Sequence, residues 1–305
     1  MIGFYKNAQY DEAHFWISQL LQKEPWNVVF LLDEIRCLIQ MRPQLQEESG
    51  GFSFSDTMTL LASNGNQEAV HRSLRHCIAE LRTTHEYELA YKCQKLSCLF
   101  FQTEESLLTL VPYGPQIGIP HVVKDFLRLL NTNFDGPILY LALGLLYKAS
   151  WQLESAATWL ENGLTYGEIE PKLEQNLREA LADCYLWKGI HALKALEMVK
   201  VYAGDAATDF TYLIAAHGSL QVGKPQEAAL YLERIREQLS DFEVLYLKGL
   251  LQYRNGKKQE ARKIWKPLIS APAESLRFYH MKEQMLQYYF NEASYEGLSP
   301  MRKAN

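Results

Sequence analysis

Six side chains able to bind a metal or carry redox chemistry, His71, His76, Cys77, His85, Cys93 and Cys98, fall within 28 residues. Zinc sites favour ligand pairs separated by two to four residues, or helical pairs four apart that share a face. Here His71 and His76, like Cys93 and Cys98, are five apart, and on an α-helix that spacing turns the second side chain about 140° from the first. The cluster is therefore not expected to hold a metal. Nucleophilic and phosphate chemistry find no better support. The chain contains no Gly-x-Ser-x-Gly elbow, no Gly-x4-Gly-Lys phosphate loop and no Gly-x-Gly-x2-Gly turn, and Glu47-Glu48-Ser49-Gly50-Gly51 lacks the context such loops require. Carboxylates such as Glu86 and Glu88 read as solvent-facing charges. Neither an enzyme, a cofactor nor a small-molecule substrate is expected.

Composition narrows the choice further. The 305 residues are 48% hydrophobic and 22% charged, a globular balance with enough chain for one long array or two subdomains. Five cysteines, Cys37, Cys77, Cys93, Cys98 and Cys184, lack a disulfide-framework spacing and read as small core residues in a reducing compartment. The longest apolar run, Ile138 to Tyr147, is too short for a bilayer span of about 20 residues, and no leader pattern opens the chain. A cytoplasmic protein without membrane insertion is expected. A net charge of −5 argues against a dedicated nucleic-acid binder, whose affinity comes mainly from Lys and Arg. Lys248 to Lys266, with seven basic residues against Glu260 alone, is the exception. It keeps nucleic-acid binding as an alternative and otherwise reads as a solvated helix face.

Helical periodicity dominates, and self-similarity decides the architecture. Tyr140-x2-Leu143-Gly144-x2-Tyr147 is followed by Ala156-x3-Leu160. Comparable units are Leu181-Ala182-x2-Tyr185, Tyr212-x2-Ala215-Ala216 with Ala228-x3-Leu232, and Gly249 with Ala261-x3-Trp265. Taking Gly144, Ala182, Ala216 and Gly249 as equivalent gives spacings of 38, 34 and 33. Over residues 137–270 the pattern resembles the tetratricopeptide repeat, whose period is about 34 residues. The resemblance implies an all-α solenoid of helix-turn-helix repeats. Small residues at the helix crossings would let axes approach to about 8–10 Å, and Val222-Gly223-Lys224-Pro225 and Asn255-Gly256-Lys257 would turn the hairpins. Departures occur at Lys194, where the second unit should carry a small residue, and at Ser219 and Gln252, which replace Tyr.

Residues 1–111 read as a divergent N-terminal helical subdomain, 112–120 as a Pro/Gly-rich bend, and 121–305 as the repeat array with a capping helix at 273–290. On the same ruler Ala13 aligns with Ala156, Ala228 and Ala261, so only half of a first helix precedes it. The resulting half-hairpin would leave Phe4, Phe15 and Trp16 as a face for a dimer or complex contact. Arg42 to Ser55 reads as an inserted loop, in which Phe52 and Phe54 are candidates for a second contact.

In the family that the array resembles, the first helices of successive hairpins line a concave groove for an extended peptide or a helix. On this chain the matching positions are Leu141 and Leu145; Asp183 and Trp187; Phe210, Leu213 and His217; and Tyr246, Leu250, Tyr253 and Arg254. Ile138 and Glu179 fall on the same faces. The lining reads as largely apolar and aromatic, and it lacks the Lys and Asn pattern with which chaperone-binding members hold a C-terminal carboxylate. The expected function is a non-catalytic adaptor or scaffold within a larger assembly, holding a hydrophobic helix or peptide of a protein partner. The alternative is a chaperone for an aggregation-prone client.

Overall fold

Ala13, Ile17 and Leu21 recur at the spacing of one helical face, and all three are buried. They belong to α1 (Tyr10–Lys23), which pairs with α2 (Val28–Gln40). The turn between them is closed by Asn27, whose side chain accepts from the Val29 and Phe30 amides at 3.1 and 3.2 Å, satisfying donors that a helix N-terminus otherwise leaves unpaired. These helices open a computed structural model that describes residues 9–41, 67–101, 104–130, 136–204, 207–236 and 241–290. All regular structure among the described residues is helical. The expected loop at 42–55, with Phe52 and Phe54, and the segment holding Phe4 lie outside the described residues.

The chain divides into two compact units, 1–142 and 143–305. In the first, α3 (Gln67–Thr83) and α4 (Tyr87–Phe101) form a second hairpin, and α4 also packs on α2. The Pro/Gly-rich stretch expected as a bend is built of helical turns. After α5 (Glu104–Leu108) come a 3-10 turn at Val111–Tyr113, α6 (Gly114–Ile117) and α7 (Ile119–Leu129), with Gly118 at φ +101° parting the last two. Proline suits each of these starts because the first amides of a helix need no intrahelical partner. Lys95 Nζ lies 2.6 Å from Asp125 Oδ2, both nearly buried, and Tyr91 donates to the same oxygen at 3.0 Å. Trp26 Nε1 donates to the Asp125 carbonyl at 2.9 Å. A polar knot thus ties α7 to the first two hairpins.

The unit boundary falls inside α8 (Pro137–Ala149). In the second unit, α8 is followed by α9 (Leu153–Gly163). The next hairpins are α10 (Pro171–Lys188) with α11 (Ala192–Lys200), α12 (Asp209–Gln221) with α13 (Pro225–Glu233), and α14 (Asp241–Arg254) with α15 (Lys258–Ser270). Gly144 stands where a Cβ would overlap Leu160, at 2.5 Å from its Cγ; at Gly249 a Cβ would meet Trp265 Cε2 at 2.5 Å. Ala156, Ala182, Ala216, Ala228 and Ala261 are all fully buried. The small residues therefore sit where the repeat pattern requires close approach. Lys194 does not occupy a crossing: Ala195 and Leu196 are buried instead, and Lys194 turns over the Tyr185 ring at 5.1 Å. Gly218 brings α12 against Leu196 of the preceding hairpin, a contact the repeat ruler does not mark.

Turns at Gly223 and Gly256 have φ of +78° and +79°, the left-handed conformation that glycine adopts without a Cβ clash. Trp151 takes the same conformation at φ +60° after α8, at a cost of about 1–2 kcal/mol for a residue with a side chain.

Gly249→Ala is expected to destabilise the protein by about 1–3 kcal/mol through overpacking against Trp265. Gly167→Ala, where an added Cβ meets nothing within 4 Å, should leave stability within about 0.5 kcal/mol of the parent. Urea denaturation followed by circular dichroism separates the two.

Candidate helix-binding groove

Asp183 and Trp187 are four residues apart on α10, Leu213 and His217 four apart on α12, and Glu243, Tyr246 and Leu247 share a face of α14. Positions three and four apart stand above one another on a helix, so each first helix turns one stripe inward. These stripes converge on a narrow crevice. Its remaining wall is supplied by Arg277 and Met281 of α16 (Leu276–Phe290).

Several expected site residues meet here: Asp183, Trp187, Leu213, His217 and Tyr246 all line the crevice and are buried. Leu250 is buried on α14, and Tyr253 stacks on Trp265 and on Tyr288 of α16. Phe210 lies under Lys148 Nζ, 5.0 Å from the ring centroid, and Arg254 is exposed at the end of α14. Leu145 is half-buried and Leu141 buried, and neither belongs to the crevice lining. The sequence reading passed over Ile214, Glu243, Leu247, Arg277 and Met281. Arg277 carried a weak signal, a cation four residues before Met281 on the helix expected to cap the array.

The centre of this wall is not apolar, contrary to the reading of its lining. Asp183 accepts from Arg277 Nη1 and Nη2 at 2.5 and 3.2 Å and pairs with Lys148 Nζ at 2.7 Å. Arg277 Nε lies against Glu243 Oε1, without hydrogen-bond alignment. The guanidinium also covers the Trp187 ring at 5.3 Å. Burial by itself would push the Asp183 carboxyl up, but Arg277 and Lys148 outweigh it and hold the group well below the usual carboxylate range. For Arg277, burial acts against the charge and is outweighed by Asp183 and Glu243, so the guanidinium stays protonated. A planar fork facing a carboxylate gives direction as well as charge.

Nor is the groove open. Along α16, Phe278 stacks on Phe242 at 4.5 Å, His280 on Trp151 at 4.4 Å, and Gln284 accepts from the Tyr246 hydroxyl. Tyr288 packs on Trp265, and Arg262 donates to the Tyr289 carbonyl at 2.9 Å. The helix covers the last hairpin, as a cap would, and its first half also reaches Asp183 and Trp151, 94 and 129 residues earlier in the chain.

His217 completes the lining. Burial pushes its imidazole down to about 4, against the pull of Asp183 and with that of Arg277. Gln221 Nε2, which donates to the Leu186 carbonyl at 2.8 Å, faces His217 Nε2 at 3.1 Å, so the neutral ring accepts there. Trp187 Nε1 is buried with no acceptor among the described residues.

A histidine whose folded pKa lies below its unfolded value of about 6.5 leaves the unfolded chain holding more protons between the two. Stability is therefore full above pH 6.5 and falls as pH drops toward 4, by about 3 kcal/mol in all. Thermal melts from pH 7 to 4 should show this slope for the parent and a flatter profile for His217→Gln across the same window. Equal slopes would show that the buried imidazole is not its source.

No family model matches the chain, and none of the curated proteins does. Among solved structures, a tetratricopeptide repeat protein from Parabacteroides merdae ATCC 43184 is similar at 13% identity, covering 91% of this chain and 98% of that one, with a TM-score of 0.50. The TPR domain of P58(IPK) aligns over 94% of this chain and 95% of its own at 10% identity, with a TM-score of 0.29, a superposition too loose to weigh. The stacked hairpins, the small residues at their crossings and the first of these likenesses agree: this chain has the all-α tetratricopeptide-repeat fold.

Proposed function

We propose that the protein is a non-catalytic interaction scaffold whose second unit binds a helix of a protein partner along the first helices of its hairpins. One observation carries this reading: that surface already holds a helix. The seat accepts α16 through a bidentate Arg–carboxylate pair, aromatic stacking and two buried methionines, Met281 and Met285. Aromatic and Arg anchors in desolvated pockets supply most of the energy in helix-in-groove recognition.

The wall's chemistry favours an amphipathic helix with a cationic anchor over a purely hydrophobic segment. A scaffold subunit would hold such a helix in fixed proportion, whereas a chaperone would release it. The exposed Phe15 and Trp16 of α1, 56% and 54% accessible and in edge contact at 5.4 Å, offer a separate face for assembly. The basic run Lys248 to Lys266 is a weaker support for nucleic-acid binding, because Arg262 turns inward to the Tyr289 carbonyl and ring.

Phe210→Asp and Arg254→Glu alter the ends of the groove without entering its core. A partner recovered from native extract should fall by about tenfold or more with either change and show a fixed mass ratio by native mass spectrometry, as truncating an interface anchor predicts. Capture unchanged by both substitutions would remove the groove from the binding surface.

A further inference from the structure

We infer that the seat of α16 is a binding site for an arginine-bearing amphipathic helix, held in this chain by its own C-terminal helix until a partner helix of the same pattern displaces it. The inference rests on the scaffold reading above and adds the ligand chemistry and the competition.

The chemistry of the seat asks for a cation. Asp183 and Glu243 both line the crevice, and Lys148 pairs with Asp183. Without α16, the second carboxylate would stand beside Trp187 and Tyr246 with no positive charge on it from the crevice wall. Carboxylates at a desolvated surface need a counter-charge, and the guanidinium donates to Asp183 through Nη1 and Nη2 while its Nε lies against Glu243 as an ion pair. A lysine offers a single point charge and cannot span them. Four residues on, Met281 fills the apolar end of the same crevice. The recognition pattern is therefore an arginine followed four residues later by an unbranched apolar residue.

The present occupant buries only part of its surface. Of α16, Met281 and Met285 are the buried residues, while Leu276, Tyr279, Leu286 and Phe290 are 48%, 51%, 37% and 71% accessible. The connection from α15, Ala271 to Ser275, is short, mostly exposed and contains Pro272. The occupant is also incomplete: Trp187 lines the seat, and its buried indole N–H has no acceptor among the described residues. A partner helix carrying an acceptor at that height would satisfy a group that α16 leaves unpaired, a direct gain for a buried donor. Trp151 adds an independent sign. It is kept in a left-handed turn where glycine serves in later repeats, and its ring stacks on His280 and packs on Trp187. Strain held at a contact surface is characteristic of sites selected for more than stability.

Tethering sets the competition. A helix attached through five residues has a high local concentration, on the order of millimolar, so a free helix of equal fit binds the intact chain weakly and binds well once the tethered copy is loosened.

The test uses the full chain and a fluorescein-labelled synthetic peptide of residues 274–290. Fluorescence anisotropy should show the peptide binding Arg277→Ala protein at least tenfold tighter than the parent. Peptide carrying Arg277→Lys should lose most of that affinity. Hydrogen exchange on the parent with excess peptide should show amides of residues 276–290 losing protection while α10, α12 and α14 keep theirs. This second measurement decides the matter if Arg277→Ala protein loses helix content by circular dichroism. Equal binding to parent and variant, with α16 protection unchanged, would place the peptide elsewhere and overturn the displacement, leaving the scaffold reading to its own groove substitutions. No binding even where α16 amides exchange freely would overturn both. Equal affinity of the arginine and lysine peptides would overturn the arginine requirement.

Discussion

A carboxylate cannot be placed among aromatic rings without a counter-charge, and Asp183, 2% exposed, imposes that condition on the whole second unit. Lys148 answers it from the preceding hairpin and Arg277 from the far end of the chain. Each tie spans helices that are not neighbours in sequence. Stacked hairpins normally bury their faces only against the next repeat; here one charged residue draws first helices and C-terminal helix to a common point. Truncating either side of such a pair typically costs about 3–5 kcal/mol, even though an apolar replacement of the whole cluster is often neutral.

The first unit solves a similar problem differently. Lys95 and Asp125 are both nearly buried, and Tyr91 and the Trp26 ring close over them. Burial lowers the Lys95 pKa, opposed by Asp125, while burial and Asp125 raise that of Tyr91. Its members satisfy one another within a single set of helices. It has the character of an internal strut. The Asp183 cluster instead borders a crevice, includes an unpaired indole donor and draws its cation from a helix on a short tether. Two buried ion pairs of similar chemistry thus differ in the source of their counter-charge, which comes from a packed hairpin helix in one and from a helix on a short connection in the other.

Close approach provides the framework on which both depend. Leu160 against Gly144 and Trp265 against Gly249 fix how each hairpin closes, and Trp265 Nε1 donates to the Tyr246 carbonyl at 3.0 Å. That bond orients the same turn of α14 that presents Tyr246 to the crevice. The repeat pattern and the site are therefore linked mechanically: the glycine that admits Trp265 also sets the inner stripe.

Most of the hairpin order was legible in the residues because it follows from local rules. Small side chains at near-constant spacing, left-handed turns at glycine and apolar faces of period 3.6 are short-range features. Residues four apart on each first helix likewise declare a shared face, which is why Asp183 with Trp187, and Leu213 with His217, were identifiable as one lining. What lay beyond reach was the occupant. Whether a stripe faces solvent, a partner or another segment of its own chain depends on contacts that join residues such as Asp183 and Arg277, 94 positions apart, and no local periodicity encodes that distance. Over residues 137–270 the sequence alone determined the helices, their pairing and the inward faces, because these depend on neighbours along the chain. Only the tertiary structure decided that the inward wall is charged at its centre and filled by α16, because a buried carboxylate's counter-charge is chosen by proximity in space.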